Sequence, residues 1–282
     1  MAHWAVWPAG KEQGMMDRKL GVIGFGNMAT GILNAVIKSE VLTMDEISVY
    51  EIDDKARRRA EQAGYFVTES MAQLCRSCDM VLLAVKPNRV AAALKEAGPA
   101  LERKALMSIA AGVPSQKLKE FCGTYFLRVL RVMPNYPAVM GVGTMVLSSN
   151  TDFTPEERAE AERLMGAVGH VEWVEERHMD AVTGLSGSGP AFVALFIEAL
   201  ADGGVMEGLS RPQAMNLAMQ TVMGTAKLLQ EEGGLHPGEL KDRVCSPGGT
   251  AIEGIKALEL GQFRHTVMNA VIAASEKSKR LI

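Results

Sequence analysis

Two glycine-rich turns in this chain have the spacing of anion-binding sites. The first, Gly24-Phe-Gly-Asn-Met-Ala29, follows an apolar run from Leu20 and opens a predicted helix. In a G-x-G-x-x-A turn the first glycine permits the bend, the second lets backbone approach a pyrophosphate, and the alanine lets the helix lie close to a sheet. An ordinary strand-to-helix turn is the alternative, but the strand before and the helix after favour a dinucleotide site.

The second turn, Ser246-Pro-Gly-Gly-Thr250, lies late in the chain and precedes a helix that we expect to begin near Ala251. Its bare backbone amides at a helix N-terminus suit a small carboxylate. The alternative is a capping box, in which Thr250 and Glu253 satisfy only the first N–H groups of the helix. A capping box does not require a preceding Pro-Gly-Gly, so the sequence favours a ligand site.

Glu51 ends the second predicted strand, where a carboxylate can accept a hydrogen bond from the adenosine ribose 2′-hydroxyl and repel a 2′-phosphate. It therefore favours NADH over NADPH. Arg57, Arg58 and Arg59 lie one turn into the next helix and offer the alternative of a phosphate contact, although a solvated basic face explains most of them. Both cofactors stay open at this point.

The ends of two later strands, Ala84–Pro87 and Ile109–Gly112, are placed to border the nicotinamide. Lys86 is either a contact to the nicotinamide ribose or a surface lysine whose stem lies on apolar surface. The helix after Gly184-Leu-Ser-Gly-Ser-Gly-Pro190 begins with the wholly apolar run Ala191–Ile197.

Reduction of a ketone needs a proton donor at the oxygen, and this apolar run offers none. A cyclic imine, in contrast, can arrive with its nitrogen protonated, so that hydride addition to carbon needs positioning more than acid catalysis. A carboxylate site, a nicotinamide site and no obvious proton donor therefore favour a cyclic imino acid as substrate.

Continuous apolar strands alternate with helices through the first part of the chain, which predicts an α/β, Rossmann-like, doubly wound parallel sheet. The strands are predicted to include residues 20–23, 47–50, 80–85, 105–110, 125–133 and 171–174. We predict an N-terminal extension without fixed structure at 1–17, a dinucleotide-binding domain at 18–177, and an all-α dimerisation and substrate domain at 178–282. The long apolar helices of this last domain predict a homodimer.

Composition narrows the classes of partner. Aromatic residues make up 5% of the chain and the formal net charge is −3, which argues against nucleic-acid and anionic-membrane surfaces. No signal peptide or membrane-spanning run is apparent, and we expect a cytoplasmic protein. The motif Cys75-Arg-Ser-Cys78 has no second pair for zinc and ends a helix, so we interpret these cysteines as reduced structural thiols.

From about Lys19 to its C-terminus the chain resembles the Δ1-pyrroline-5-carboxylate reductases, which make proline. The motifs that carry this resemblance follow in the family's order and approximate spacing: IGFGNMA, AVKP, SIAAGV, MPN, GLSGSGPAF, FIEALADGGV, HPGELKD and CSPGG. The resemblance implies a dinucleotide domain, an interlocked helical dimer often assembled into larger rings, and an active site between the two domains.

The resemblance also implies roles for individual residues. The pyrophosphate would lie on Ile23, Gly24, Phe25, Gly26, Asn27 and Met28, and the ribose on Glu51. The nicotinamide side would be lined by Ala84, Val85, Lys86, Pro87, Ile109, Ala110 and Ala111. The substrate carboxylate would be held by the amides of Gly248, Gly249 and Thr250, beside Ser246 and Ala251. No metal is expected.

Three positions depart from the family pattern. Ala251 stands where a second threonine commonly bonds the ring nitrogen, so Thr250 or water must substitute or affinity falls. Leu235 replaces a polar or acidic residue, and Glu51 replaces a small or hydroxylated residue of members that prefer NADPH. Ala251 and Leu235 leave a related imine reductase with a drifted substrate as one alternative to a proline-forming reductase. The other alternative is a dinucleotide-sensing protein without turnover.

Overall fold

The structure is a computed structural model and describes residues 18–281; the N-terminal extension expected at 1–17 lies outside these residues. The described chain forms two compact units, one comprising 18–187 with 275–281 and the other Ser188–Ala274. This division falls ten residues after the boundary expected between 177 and 178. The end of the chain also belongs to the first unit, which the sequence analysis did not anticipate.

An eight-stranded sheet in the order β3-β2-β1-β4-β5-β6-β7-β8 forms the centre of the first unit. The strands are β1 (Arg18–Ile23), β2 (Ile47–Tyr50), β3 (Phe66–Val67), β4 (Cys78–Leu83), β5 (Ala105–Ser108), β6 (Arg128–Pro134), β7 (Gly143–Ser148) and β8 (Gly169–Val174). The helices around it are α1 (Asn27–Lys38), α2 (Asp54–Gln62), α3 (Met71–Ser77), α4 (Pro87–Ala97), α5 (Ser115–Cys122), α6 (Pro155–Gly166) and α7 (Met179–Val182).

The sheet is parallel except where β6 meets β7. The predicted doubly wound parallel sheet is confirmed, with this one antiparallel pair within it. Only residues 135–142 join the two strands, too few for a crossover connection, so β7 must run back beside β6. A whole helix, α6, separates β7 from β8, and that pair is parallel again.

Helices cover both faces of the sheet, as the doubly wound prediction requires. Because side chains alternate along a strand, β4 serves both layers: Leu82 packs into one apolar cluster, and Val81 and Leu83 pack into the other. The first cluster includes residues of α1 and α6, and the second includes residues of α3, α4 and α5. Because these strands are parallel, the carboxyl ends of β1, β2, β4 and β5 lie along one edge of the sheet.

The second unit is helical, as predicted. It contains α8 (Gly189–Met206), α9 (Arg211–Glu231), α10 (Pro237–Val244), α11 (Thr250–Leu260) and most of α12 (Phe263–Ser278). Within one protomer its buried apolar cluster consists of three alanines, Ala201, Ala214 and Ala218, with a few half-buried neighbours. Large apolar side chains stay exposed along α8, α9 and α12, among them Leu195, Leu217 and Ile272.

One helical stretch of the described residues, Glu176–Met206, is long and apolar enough to cross a membrane by length and composition alone.

Candidate active site

The turn after β1 is fixed by its first glycine. Gly24 has φ +97°, and its N–H donates a 2.8 Å hydrogen bond to the carbonyl of Tyr50 at the end of β2. A Cβ at this position would lie 2.7 Å from the Ala84 carbonyl oxygen at the end of β4. Only glycine fits both the backbone angle and the space, so the turn holds three strand ends together.

The start of α1 fits a pyrophosphate. Gly26 is the N-cap, and among the described residues no side chain caps this helix and no acidic residue lies in its first turn. A Cβ built on Gly26 would meet nothing within 4 Å, so the space beside the first amides is open. A dinucleotide phosphate group would fill that space and accept from these N–H groups.

Phe25, between the two glycines, contributes to the site only through its backbone. Its ring is 3% exposed and packs edge-on against Tyr65 with ring centroids 5.5 Å apart. The predicted contact between Phe25 and the cofactor therefore does not involve the side chain, which anchors the turn in the core.

The Glu51 carboxylate accepts three backbone hydrogen bonds. Its Oε2 accepts from the N–H of Phe25 at 2.6 Å. Its Oε1 accepts from the N–H of Ile52 at 2.7 Å and of Asp53 at 2.9 Å. Glu51 thus links the glycine-rich turn to the loop that follows β2.

A cavity of about 670 Å³ opens beside these groups. It brings together seven residues predicted from the sequence: Ile23, Gly24, Gly26, Glu51, Ala84, Val85 and Lys86. Phe25, Asn27, Met28, Pro87, Ile109, Ala110 and Ala111 were also predicted, but they are not part of its lining. The cavity therefore matches the adenosine and pyrophosphate half of the expected site more closely than the nicotinamide half.

Sequence reasoning missed one wall of this cavity. Arg89, Ala92, Ala93 and Glu96 line it together, and they share one face of α4. Tyr50, Ile52, Asp53 and Met71 complete the lining that was not predicted. The spacing of three, four and seven residues along α4 was the available signal, since such positions lie on one side of a helix.

The arginines of α2 do not line the cavity in the described part of the chain. Arg57 Nε lies 3.3 Å from Glu61 Oε1, one turn along the same helix. Arg59 Nη2 donates to the Phe25 carbonyl at 3.5 Å, and Arg58 is exposed. These positions place Arg59 beside the glycine-rich turn but outside the cavity lining, whereas Lys86 and Arg89 line the cavity.

Burial and the neighbouring carboxylate of Glu96 raise the pKa of Tyr50 above its ordinary value. Tyr50 therefore keeps its proton at neutral pH and presents a neutral hydroxyl to the cavity.

The segment after β5 lies at the same sheet edge. Ile109 donates a 3.1 Å hydrogen bond to the Leu83 carbonyl at the end of β4. Ile109 and Ala111 are half-buried, but Ala110 is buried in the cluster that includes α4 and α5. The backbone of this segment, rather than the Ala110 side chain, is what it can offer to a ligand.

The late Pro-Gly-Gly turn lies in the second unit. Gly248 has φ +67°, and the Gly249 N–H donates a 3.0 Å hydrogen bond to the Ser246 carbonyl, which closes a tight turn. The Gly249 amide is therefore used within the turn, which differs from the expectation that it holds a carboxylate. Thr250 is exposed at the first position of α11.

The helix begins at Thr250, one residue earlier than expected, with Gly249 as its N-cap. No side chain from residues 18–281 caps it. Glu253 lies instead 3.4 Å from Lys256 Nζ. The capping box that was the alternative explanation of this turn is thus not formed.

A π-helical turn, Thr183–Gly187, overlaps the start of the motif Gly184–Pro190 and lies against the end of β6. A Cβ on Gly187 would lie 2.5 Å from Met133 Cε, so the turn packs closely on that strand. The Ser186 hydroxyl oxygen is buried and has no hydrogen-bond partner among the described residues. Such turns occur often at functional sites.

The cysteines are free, and three of them are buried: Cys75, Cys78 and Cys122. Burial raises the pKa of Cys75 to about 12 and of Cys122 to about 11, and it raises that of Cys78 as well. Thiols that stay protonated at neutral pH neither bind metal readily nor act as nucleophiles. This agrees with the interpretation of the C-x-x-C pair as structural.

Comparison with known proteins identifies related chains over nearly the whole length. A family described as pyrroline-5-carboxylate reductase dimerisation matches residues 176–281, and one described as NADP oxidoreductase, coenzyme F420-dependent, matches residues 19–112. A pyrroline-5-carboxylate reductase of Glycine max is 45% identical over 264 residues, covering 93% of this chain and 95% of the relative. The Escherichia coli (strain K12) reductase is 40% identical over 268 residues, covering 94% and 99%.

A solved structure shares the fold over a similar extent. The crystal structure of Plasmodium falciparum pyrroline carboxylate reductase with NADP bound has a TM-score of 0.83 and 34% sequence identity. The match covers 95% of this chain and 99% of the other.

Proposed function

The chain belongs to the pyrroline-5-carboxylate reductase family, and from that premise we propose which of its residues perform the reduction. The enzyme reduces Δ1-pyrroline-5-carboxylate to L-proline with NAD(P)H, and this is the last step of proline biosynthesis. A drifted imine substrate and a non-catalytic sensor, the two alternatives left by the sequence, are not favoured by relatives at this level of identity.

The observation that carries the cofactor assignment is the cavity at the carboxyl ends of β1, β2 and β4. The dinucleotide pyrophosphate lies against the turn from Ile23 to Met28, where Gly24 makes the bend and Gly26 leaves the helix amides open. The adenosine ribose contacts Glu51. The side chains of Ala92 and Ala93 are small, so this face of α4 leaves room for the adenine.

The nicotinamide contacts Ala84–Pro87 and the backbone of Ile109–Ala111. When bound, the reduced nicotinamide supplies the hydride. NADH is the preferred form in this proposal, because Glu51 lies at the cavity and the arginines of α2 do not. Lys86 and Arg89 leave the enzyme able to use NADPH as well.

The substrate carboxylate accepts hydrogen bonds from the N–H groups of Gly248 and Thr250. The Gly249 amide holds the turn that aims them, and Ser246 lies in the same turn. Thr250 positions the ring nitrogen in place of the hydroxyl that Ala251 lacks. These residues hold the imine flat, and the negative charge of the carboxylate is stabilised by the uncapped start of α11.

Beyond this positioning, the protein does not have to supply a proton during the reduction, because the imine nitrogen is already protonated. The hydride adds to C2 of the protonated imine, the carbon that becomes C5 of proline, the C=N π electrons move to nitrogen as a lone pair, and the product is the secondary amine. A poised acid is not needed, which fits the apolar start of α8.

The enzyme is a homo-oligomer, consistent with the match to a dimerisation family. We propose that the dimer forms through the helices of 178–282, whose exposed apolar side chains include Leu195, Leu217 and Ile272. Burial of these helices against a second copy also accounts for the apolar stretch Glu176–Met206 in a cytoplasmic enzyme. The family match from residue 176 supports the proposed domain boundary at 177/178.

A steady-state assay tests the function. Purified enzyme is mixed with NADH and pyrroline-5-carboxylate, and nicotinamide absorbance is followed together with proline formed. One NADH oxidised per proline is the expected result. Oxidation only with other cyclic imino acids would show that the substrate has drifted, and NADH binding without any oxidation would show a sensor.

A further inference from the structure

We propose that Glu51 selects the cofactor by filling a nest of backbone amides, and not merely by repelling a 2′-phosphate. The proposal rests on the cofactor site assigned above and extends it to a mechanism of discrimination. The nest consists of the N–H groups of Phe25, Ile52 and Asp53, which converge on one carboxylate.

The number of acceptor positions on the carboxylate sets what Glu51 can still bind. A carboxylate offers about four lone-pair positions. Oε1 uses two of them for the amides of Ile52 and Asp53, and Oε2 uses one for the amide of Phe25. One position on Oε2 therefore stays available, which is enough for a single ribose hydroxyl.

A 2′-phosphate cannot use this free acceptor position, because its oxygens are themselves acceptors. It needs N–H or cationic donors, and the three nearby amides are already committed to Glu51. Two arginines of α2 already have partners, since Arg57 lies against Glu61 and Arg59 donates to the Phe25 carbonyl. Removal of the Glu51 side chain, without any added arginine, leaves three amides free to receive a phosphate.

Two substitutions separate this mechanism from simple repulsion. Glu51→Gln removes the charge but keeps the side-chain volume and one carbonyl oxygen for the amides of Ile52 and Asp53. Glu51→Ser removes the charge and empties the nest. Repulsion alone predicts equal gains for a 2′-phosphate in the two variants, whereas nest filling predicts a gain chiefly in Glu51→Ser.

The test measures dissociation constants of 5′-AMP and of adenosine 2′,5′-bisphosphate for the full-length wild type and both variants by calorimetry. We expect Glu51→Ser to improve the ratio for the bisphosphate by about tenfold more than Glu51→Gln, the scale of one charge-assisted hydrogen bond. Equal improvement in both variants, or none in either, would overturn the proposal while leaving the cofactor site intact. Failure of the wild type to bind 5′-AMP at all would refute the cofactor site, and with it this mechanism.

A measurement on the wild-type enzyme tests the mechanism even if one of the variants does not fold. A crystal structure with NADH should show the Glu51 carboxylate still accepting from Phe25, Ile52 and Asp53 while it accepts from one ribose hydroxyl. A carboxylate that turns away from the Phe25 amide to bind both hydroxyls would contradict the mechanism.

Discussion

The Ser278 hydroxyl donates a 2.6 Å hydrogen bond to Asp180 Oδ1, 98 residues earlier in the chain. Ser278 is 1% exposed, and its carbonyl oxygen would lie 2.6 Å from a Cβ on Gly112, whose φ is +70°. The end of α12 is therefore held by a hydrogen bond within the first unit, and it packs against the turn that follows Ile109–Ala111.

Ser278→Ala should destabilise the enzyme by about 1.5–3 kcal/mol, because the lost donor is bonded to a carboxylate. Chemical denaturation at one fixed protomer concentration measures this, since an oligomer's stability depends on concentration. Lys277→Ala, at an exposed position one residue away, is the control and should change stability by about 0.5 kcal/mol or less. Equal effects of the two substitutions would show that the Ser278–Asp180 contact does not stabilise the fold.

Alanine substitutions at the two glycines of the first turn should have different effects, one on stability and the other on cofactor binding. Gly24→Ala should cost about 1–3 kcal/mol of stability, since φ +97° strains any other residue and the new Cβ would press on the Ala84 carbonyl. Gly26→Ala should leave stability nearly unchanged, because its Cβ meets nothing within 4 Å, yet weaken NADH binding by blocking the pyrophosphate. Thermal unfolding and NADH fluorescence titration measure the two effects. Normal NADH affinity in a folded Gly26→Ala variant would mean that the pyrophosphate lies elsewhere.

Ala251→Thr should lower KM for pyrroline-5-carboxylate by about tenfold or more, the value of one added hydrogen bond to a charged group, the protonated ring nitrogen. Steady-state kinetics at saturating NADH measures this. Ala251→Val, which adds similar volume without a hydroxyl, is the matched control and should not lower KM. If the threonine variant behaves like the valine variant, Thr250 or water already makes the bond.

Acid stability should depend in part on Glu46. A hydrogen bond from Lys19, followed by that from the Thr43 amide, lowers the pKa of Glu46 from 4.5 to about 2. A carboxyl whose pKa is lower in the folded state stabilises fully above its unfolded pKa, and that contribution is lost as pH falls from 4.5 towards 2. The effect should be small because the side chain remains 26% exposed.

Glu46→Gln should therefore flatten the decline of stability over this pH range, as measured by denaturation at a series of pH values. An identical decline in wild type and variant would show that the Lys19–Glu46 pair does not contribute.

Local patterns were sufficient to predict the elements that position the site. The apolar run before Gly24 and the run that ends at Glu51 are strands, as predicted, because fully buried strands leave continuous apolar sequence. The two-residue strand β3 and the returning strand β7 were not predicted. β3 has only two residues, and β7 depends on the short link after β6, whose effect appears only once the sheet is assembled.

The missed parts of the site have a common cause. Arg89 and Glu96 lie on a cavity wall because α4 comes close to the end of β2, where Glu96 neighbours Tyr50, and local sequence does not contain this tertiary relationship. The three amides around Glu51 likewise come from two loops separated by a whole helix and strand. A sequence motif shows where the backbone can bend. It does not show which N–H groups of other loops will donate hydrogen bonds to a nearby side chain.

The central claim is that the Pro-Gly-Gly turn holds the substrate carboxylate through its backbone. Crystals of the enzyme with NAD⁺ and an unreactive proline analogue test it most directly. The analogue's carboxylate should accept hydrogen bonds from the N–H groups of Gly248 and Thr250, with its ring against the nicotinamide. An analogue bound with its carboxylate on any other group of the enzyme would contradict the claim.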